Sequence, residues 1–173
     1  MEVIGLAPDQ NYYLLDAIRD RLNLTQRTSK LFALHRKWKP SCVGYEVYGM
    51  QSDVEHIKYI MEQENYRFRI IEVGGSMPKE DRIQKLVPVF EQGRFYMPER
   101  LMFTDYENVQ RDYVELFIKD EYSAFPVCVH DDMLDCRARI LDPLLLAKFP
   151  KEAITAPLDF GGTYHGGDQS WMG

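Results

Sequence analysis

His130-Asp131-Asp132-Met133-Leu134-Asp135 gathers three carboxylates immediately ahead of a stretch patterned as a helix. Cys136, Ile140, Leu141, Leu144, Leu145 and Phe149 recur there at helical spacing. Asp131 and Asp135 are four apart and Asp132 and Asp135 three apart, which on a helix puts them on one face, about 5–6 Å apart at Cβ. Like charges so placed repel, and the cluster costs stability unless a cation or a distant base answers it. Two readings follow. One is a solvated acidic helix start, mildly favoured by the helix dipole. The other is a site for a hard divalent cation such as Mg²⁺ or Mn²⁺, which takes carboxylate oxygens. The choice turns on whether another carboxylate sits at a strand end elsewhere in the chain.

The chain has 173 residues, with 45% hydrophobic and 13% aromatic content, enough for one folded α/β domain with its own core. No apolar run approaches the roughly 20 residues of a membrane helix, and the start, Met1 to Gly5, lacks the basic and apolar segments of a signal peptide. No membrane partner is expected. The three cysteines, Cys42, Cys128 and Cys136, form no CxxC and suit small buried residues in a reducing cytosol. The net charge of −6 argues against broad, unspecific nucleic-acid binding. It leaves room for a nuclease, whose own carboxylates contribute to that count.

Read in order, Glu2–Ala7 and Tyr12–Arg19 predict an antiparallel hairpin around Pro8-Asp9-Gln10-Asn11. Thr25 is placed to cap a helix over 26–38 that Pro40 stops. Cys42–Glu46 reads as a short buried strand ending on a carboxylate. A helix over 52–64, capped by Ser52 or Asp53, and a strand over 68–73 follow. That alternation predicts a parallel pair with a right-handed crossover. Gly74-Gly75-Ser76-Met77-Pro78 reads as a connection. A helix is expected over 79–92, closed by Gly93, then a brief strand over 94–98 and a helix over 107–119. Residues 1–150 form the expected domain. Residues 151–173, rich in glycine and carrying Phe160, Tyr164 and Trp171, read as a loose tail.

In an α/β sheet functional groups gather at the carboxyl ends of parallel strands. Glu46 sits at such an end. If the helix opened by Asp131, Asp132 and Asp135 packs beside that strand, the carboxylates converge on a site where two metals can clamp a phosphodiester displacement. Lys79 and Arg82, three apart, share a helix face. They read either as phosphate contacts or as a solvated face bridging Glu80 or Glu107. His130 reads as a DNA contact or carboxylate orienter, or equally as a buried, satisfied histidine.

Four stretches in order then carry a resemblance. Asn11 to Arg21, Val43 to Gly49, Lys79-Glu80-Asp81-Arg82-Ile83 with Phe90 to Tyr96, and His130-Asp131-Asp132-Met133-Leu134-Asp135 are similar to elements of the nuclease domain of tailed-bacteriophage terminase large subunits. The last corresponds to that family's HDDxxDA element, with Cys136 in place of its alanine. The likeness covers residues 1 to about 145. It implies an RNase H-like mixed sheet flanked by helices, and metal-dependent cleavage of double-stranded DNA during genome packaging. Glu46, Asp132 and Asp135 are the implied catalytic ligands, with Asp131 as a further metal ligand and Mg²⁺ or Mn²⁺ as cofactor. Double-stranded DNA, a terminase ATPase domain and a portal are the implied partners, in the cytoplasm of an infected bacterial host. The family also carries an aspartate on a strand preceding the hairpin, and this chain starts at the hairpin. The expectation is therefore a fragment, a split gene, or a sheet completed by another chain; Asp9 and Asp16 are the nearest substitutes. No GxxxxGK[ST] occurs, so no ATP hydrolysis is expected of this chain. The competing readings are a catalytically incomplete docking module of the motor and another RNase H-like nuclease, such as a resolvase.

Overall fold

The computed structural model describes residues 1–47, 51–75 and 77–151. Apart from Lys151, the expected tail lies outside them, as do Tyr48, Gly49 and Ser76. The hairpin forms as expected: β1 (Glu2–Leu6) pairs antiparallel with β2 (Tyr12–Ala17), with a bulge at Val3/Ile4. Asp9 accepts from the Asn11 amide at 3.0 Å, the local bond that makes this residue a turn former.

α1 (Leu24–Trp38) begins two residues earlier than Thr25 would place it. Asn23 accepts from the Gln26 amide and Gln26 reaches back to the Asn23 amide, a reciprocal cap that satisfies two orphan donors. Lys39 turns left-handed and Pro40 follows, ending the helix. β3 (Val43–Glu46), α2 (Gln51–Gln63) and β4 (Ile70–Val73) form the expected parallel pair with a helical crossover, Val43 opposite Ile70 and Glu46 opposite Val73. Asp53 does not serve as a cap: its buried carboxylate takes Arg27 at 2.5 Å and the Tyr45 hydroxyl at 2.9 Å.

The helix expected over 79–92 is two short ones, α3 (Lys79–Gln84) and α4 (Val87–Glu91). Pro88 is the cause, since it lacks an amide proton and is tolerated only in a first turn. β5 (Phe95–Tyr96) runs parallel to β2. Residues 102–112 form an antiparallel hairpin in place of the first turns of a helix, β6 (Met102–Thr104) with β7 (Gln110–Asp112). Asp105 closes its turn by accepting from the Glu107 and Val109 amides. α5 (Tyr113–Leu116) widens into a π-helical turn over Phe117–Tyr122. α6 (Asp132–Ala138) is shorter than the spacing predicts; two 3₁₀ turns, Arg139–Leu141 and Pro143–Leu145, replace its continuation because Pro143 stops it.

The result is a mixed α/β protein, but its strands do not make one sheet. Among the described residues there are three: β1-β2-β5, β3-β4 and β6-β7. The core divides in parallel with them. Tyr12, Leu14, Ile83, Leu86, Phe117 and Leu134 belong to one cluster, under β1-β2-β5. Leu31, Phe32, Ile57 and Met61 form the other, between α1, α2 and the β3-β4 pair. No helix among the described residues is long and apolar enough to cross a membrane.

Candidate functional site

The carboxylates of the opening stretch meet the end of β3 across a set of cations. α3 packs beside α6, and the two helices bring opposite charges together. Lys79 Nζ lies 2.6 Å from Asp131 Oδ1 and 2.9 Å from Asp132 Oδ1. Its third neighbour is Asp135 Oδ2, at 4.0 Å. One helical turn on, Arg82 Nε donates to Asp135 Oδ1 at 2.6 Å, and its Nη2 lies 3.7 Å from Glu46 Oε1. Glu46 is held in turn by Arg139, whose Nη1 reaches Asp142 at 3.3 Å. Arg82, Asp135 and Arg139 are buried; Asp132 keeps 75% of its side chain exposed.

The sequence-predicted residues Glu46, Asp131, Asp132, Asp135, Lys79 and Arg82 are thus brought together. The two basic residues are not a solvated face: they answer the aspartates, and Glu107 pairs with Arg111 instead. His130 is exposed beside the cluster, not buried. Asp16 stands apart, taking Lys37 at 2.6 Å and the Trp38 indole at 2.9 Å.

The electrostatics follow the contacts. The Lys79 ammonium donates to Asp132 and holds its carboxyl below the usual range, against the opposing effect of burial. Partial burial works to lower the pKa of Lys79, but the hydrogen bonds to Asp131 and Asp132 outweigh it and leave the ammonium harder to deprotonate. Glu121 is the residue that sequence reasoning missed. It follows Lys119 and Asp120 in a charged run, yet it is fully buried and accepts from the Met133 and Leu134 amides, both at 2.9 Å. It therefore satisfies the first turn of the acidic helix, and burial pushes its carboxyl pKa up. Arg139 was also missed, although its place four residues beyond Asp135 is the signal for a cation on the same face.

The donor set is oxygen only, which suits Mg²⁺ or Mn²⁺ rather than softer ions. Glu46 and Asp135 flank a single guanidinium, so their carboxylates point to one place. Their oxygens now face cations. Among the described residues no three His, Cys, Asp or Glu side chains stand close enough together to hold an ion as arranged. Comparison of the chain with protein-family models, with curated proteins and with solved structures returned no match.

Proposed function

We propose that this chain is the RNase H-like nuclease portion of a phage DNA-packaging terminase, a metal-dependent endonuclease acting on double-stranded DNA. The observation that carries the reading is the convergence of Glu46, at the carboxyl end of a parallel strand, with Asp135 on the shared Arg82. Strand order alone does not produce that meeting; it needs α3 and α6 to pack together at the end of β3. Glu46, Asp135, Asp132 and Asp131 would hold Mg²⁺ or Mn²⁺. Such ions, when bound, lower the pKa of the attacking water and offset the charge that develops on the phosphate. Lys79 and Arg82, released from the aspartates, bind the phosphate backbone, and exposed His130 adds a contact at the rim. Arg139 is a positioning residue, since it holds Glu46. The portal, the ATPase domain and the infected-cell cytoplasm belong to the same reading.

The test is supercoiled plasmid incubated with the purified chain in Mn²⁺, Mg²⁺ or EDTA, beside Glu46→Gln. Glu46 is 35% exposed in its side chain, so this variant is expected to fold. Cleavage that needs the metal and is lost in the variant supports the reading. A strong preference for four-way junctions over linear duplex would move it to a resolvase. No cleavage, together with no rise in melting temperature at millimolar Mn²⁺, would sink it and leave the cluster as a structural charge network.

A further inference from the structure

The two halves of the core are separated by a cleft of about 1010 Å³, and both of its long walls are strand edges. β1 ends one sheet and β3 ends the other, and each pairs on one side only among the described residues. Met1 to Ile4 with Leu6 line the first wall, and Val43 to Glu46 the second. On β3 the Val43 and Val47 amides donate toward β4, at 2.9 Å each. Main-chain groups alternate along a strand, so those of Gly44 and Glu46 are turned to the cleft. Beside β1, the Met1 carbonyl accepts from the Ile18 amide and the Ala7 amide donates to the Asn11 carbonyl, at the two ends of β2, and by the same alternation Ile4 and Leu6 are turned to the cleft. Such rows of donors and acceptors are templates for another strand. The remaining walls mix apolar side chains, Leu31 and Leu34 of α1 on one side and Ile140 and Leu145 on the other, with charged ones, Arg27, Asp53, Asp135 and Arg139 among them.

We propose that this cleft takes one extended strand from a second polypeptide, a continuous run of about five apolar, β-branched residues that joins β1 to β3. Only a polypeptide backbone supplies main-chain donors and acceptors to both edges at once. The length follows from β1, which has five residues, and β3, which has four. The composition follows from burial on both faces, which in strands reads as an unbroken hydrophobic run and not as alternation. The chain's own remaining segment can reach the place, because Leu146 to Lys148 and Pro150 line the cleft where the described chain ends. Residues 152–173 nevertheless contain no three consecutive apolar residues, and Pro157 and the glycines interrupt them. That segment is therefore not the strand proposed here. The inference rests on main-chain edges and stands apart from the nuclease reading.

The experiment measures amide hydrogen exchange of Ile4, Leu6, Gly44 and Glu46 in the full chain, with a synthetic peptide, Lys-Val-Ile-Val-Ile-Val-Lys, as the probe. A second peptide carries proline at the central valine and keeps both charges. The expected result is saturable slowing of all four amides, at least tenfold, by the first peptide and none by the second. No slowing, or equal slowing by the proline peptide, overturns the proposal. So does slow exchange in the chain alone: if dilution releases it, the occupant is a second copy, and if Ile154→Pro releases it, the chain's own tail is the occupant.

Discussion

Replacing Arg82 by Met is the most informative single change. The Arg82 side chain is 6% exposed and that of Asp135 11%, and their bond is 2.6 Å. Removing one partner of a buried pair leaves the other charge uncompensated, at a typical cost of about 3–5 kcal/mol. Lys79 remains 4.0 Å from the other Asp135 oxygen, so the loss belongs at the lower end, about 3 kcal/mol. For a chain of this size that is a fall in melting temperature of about 6–12 °C. Adding Asp135→Leu removes the stranded charge, and well-packed apolar replacements of buried pairs are often neutral. The double variant is therefore expected to regain most of the loss, with a coupling of about 2 kcal/mol or more in the cycle. Urea denaturation of the four proteins measures it. A loss below about 1 kcal/mol for Arg82→Met, or a double variant as unstable as the sum of the singles, would refute the claim that this pair is excluded from water. The same variant bears on the metal: with the guanidinium gone, Glu46 and Asp135 lose a competing cation. Millimolar Mn²⁺ should then raise the melting temperature more than in the natural protein.

Three further outcomes are expected. Asn23→Ala removes the cap of α1 and should cost about 1 kcal/mol, whereas Thr25→Ala should stay within about 0.5 kcal/mol; denaturant midpoints separate them. Glu121 has its pKa raised by burial above the ordinary 4.5, so the native state binds the extra proton, and its contribution to stability is present below that pH and is lost as pH rises through the raised value. Glu121→Gln keeps an acceptor for the two amides and should lack that decline, which the difference between the two pH–stability curves reads directly; a difference independent of pH would be the contrary result. Gly44→Ala would place a Cβ 2.7 Å from Leu145 Cδ2, at a cost of about 1–3 kcal/mol, and Leu145→Ala should relieve it in a thermal melt of the pair.

What could be read from the residues alone was whatever local periodicity controls. The hairpin of β1 and β2, α1, and the β3–α2–β4 unit all carry an unbroken pattern of their own period, and their starts and stops are written in turn residues. The reading lost ground where two signals competed. In 79–92 and beyond Ala138, apolar residues continue at helical spacing, but Pro88 and Pro143 decide the matter through the amide each lacks. In 102–112 a helical pattern taken from Tyr113, Leu116 and Phe117 was extended too far upstream. The turn in Asp105-Tyr106-Glu107-Asn108 was the local evidence against it, and Asn108 indeed turns left-handed. At the site the carboxylates were legible because their spacing is short. Glu121 was not, since nothing local distinguishes a buried acceptor in a charged run from a solvated one. Its role exists only once α6 has docked on it.

The cluster and the cleft meet at one end of the molecule, and the physics of each explains something about the other. Asp132, Asp135, Glu46 and Arg139 line the same cleft as the open edges. Carboxylates gathered there repel, and without cations they would push α6 away from β3. Lys79, Arg82 and Arg139 offset that repulsion, and two of the three are buried while doing so. A merely structural solution would have used apolar residues, since buried ion pairs rarely stabilise more than a packed alternative of the same volume. Retaining them is sensible where the carboxylates must stay ionised and exchangeable. The missing sheet continuity argues in the same direction. A strand lying between β1 and β3 would draw the two core clusters together and fix the end of β3, and with it Glu46, relative to α6. The charge network then reads as what holds the carboxylates in place before that strand arrives.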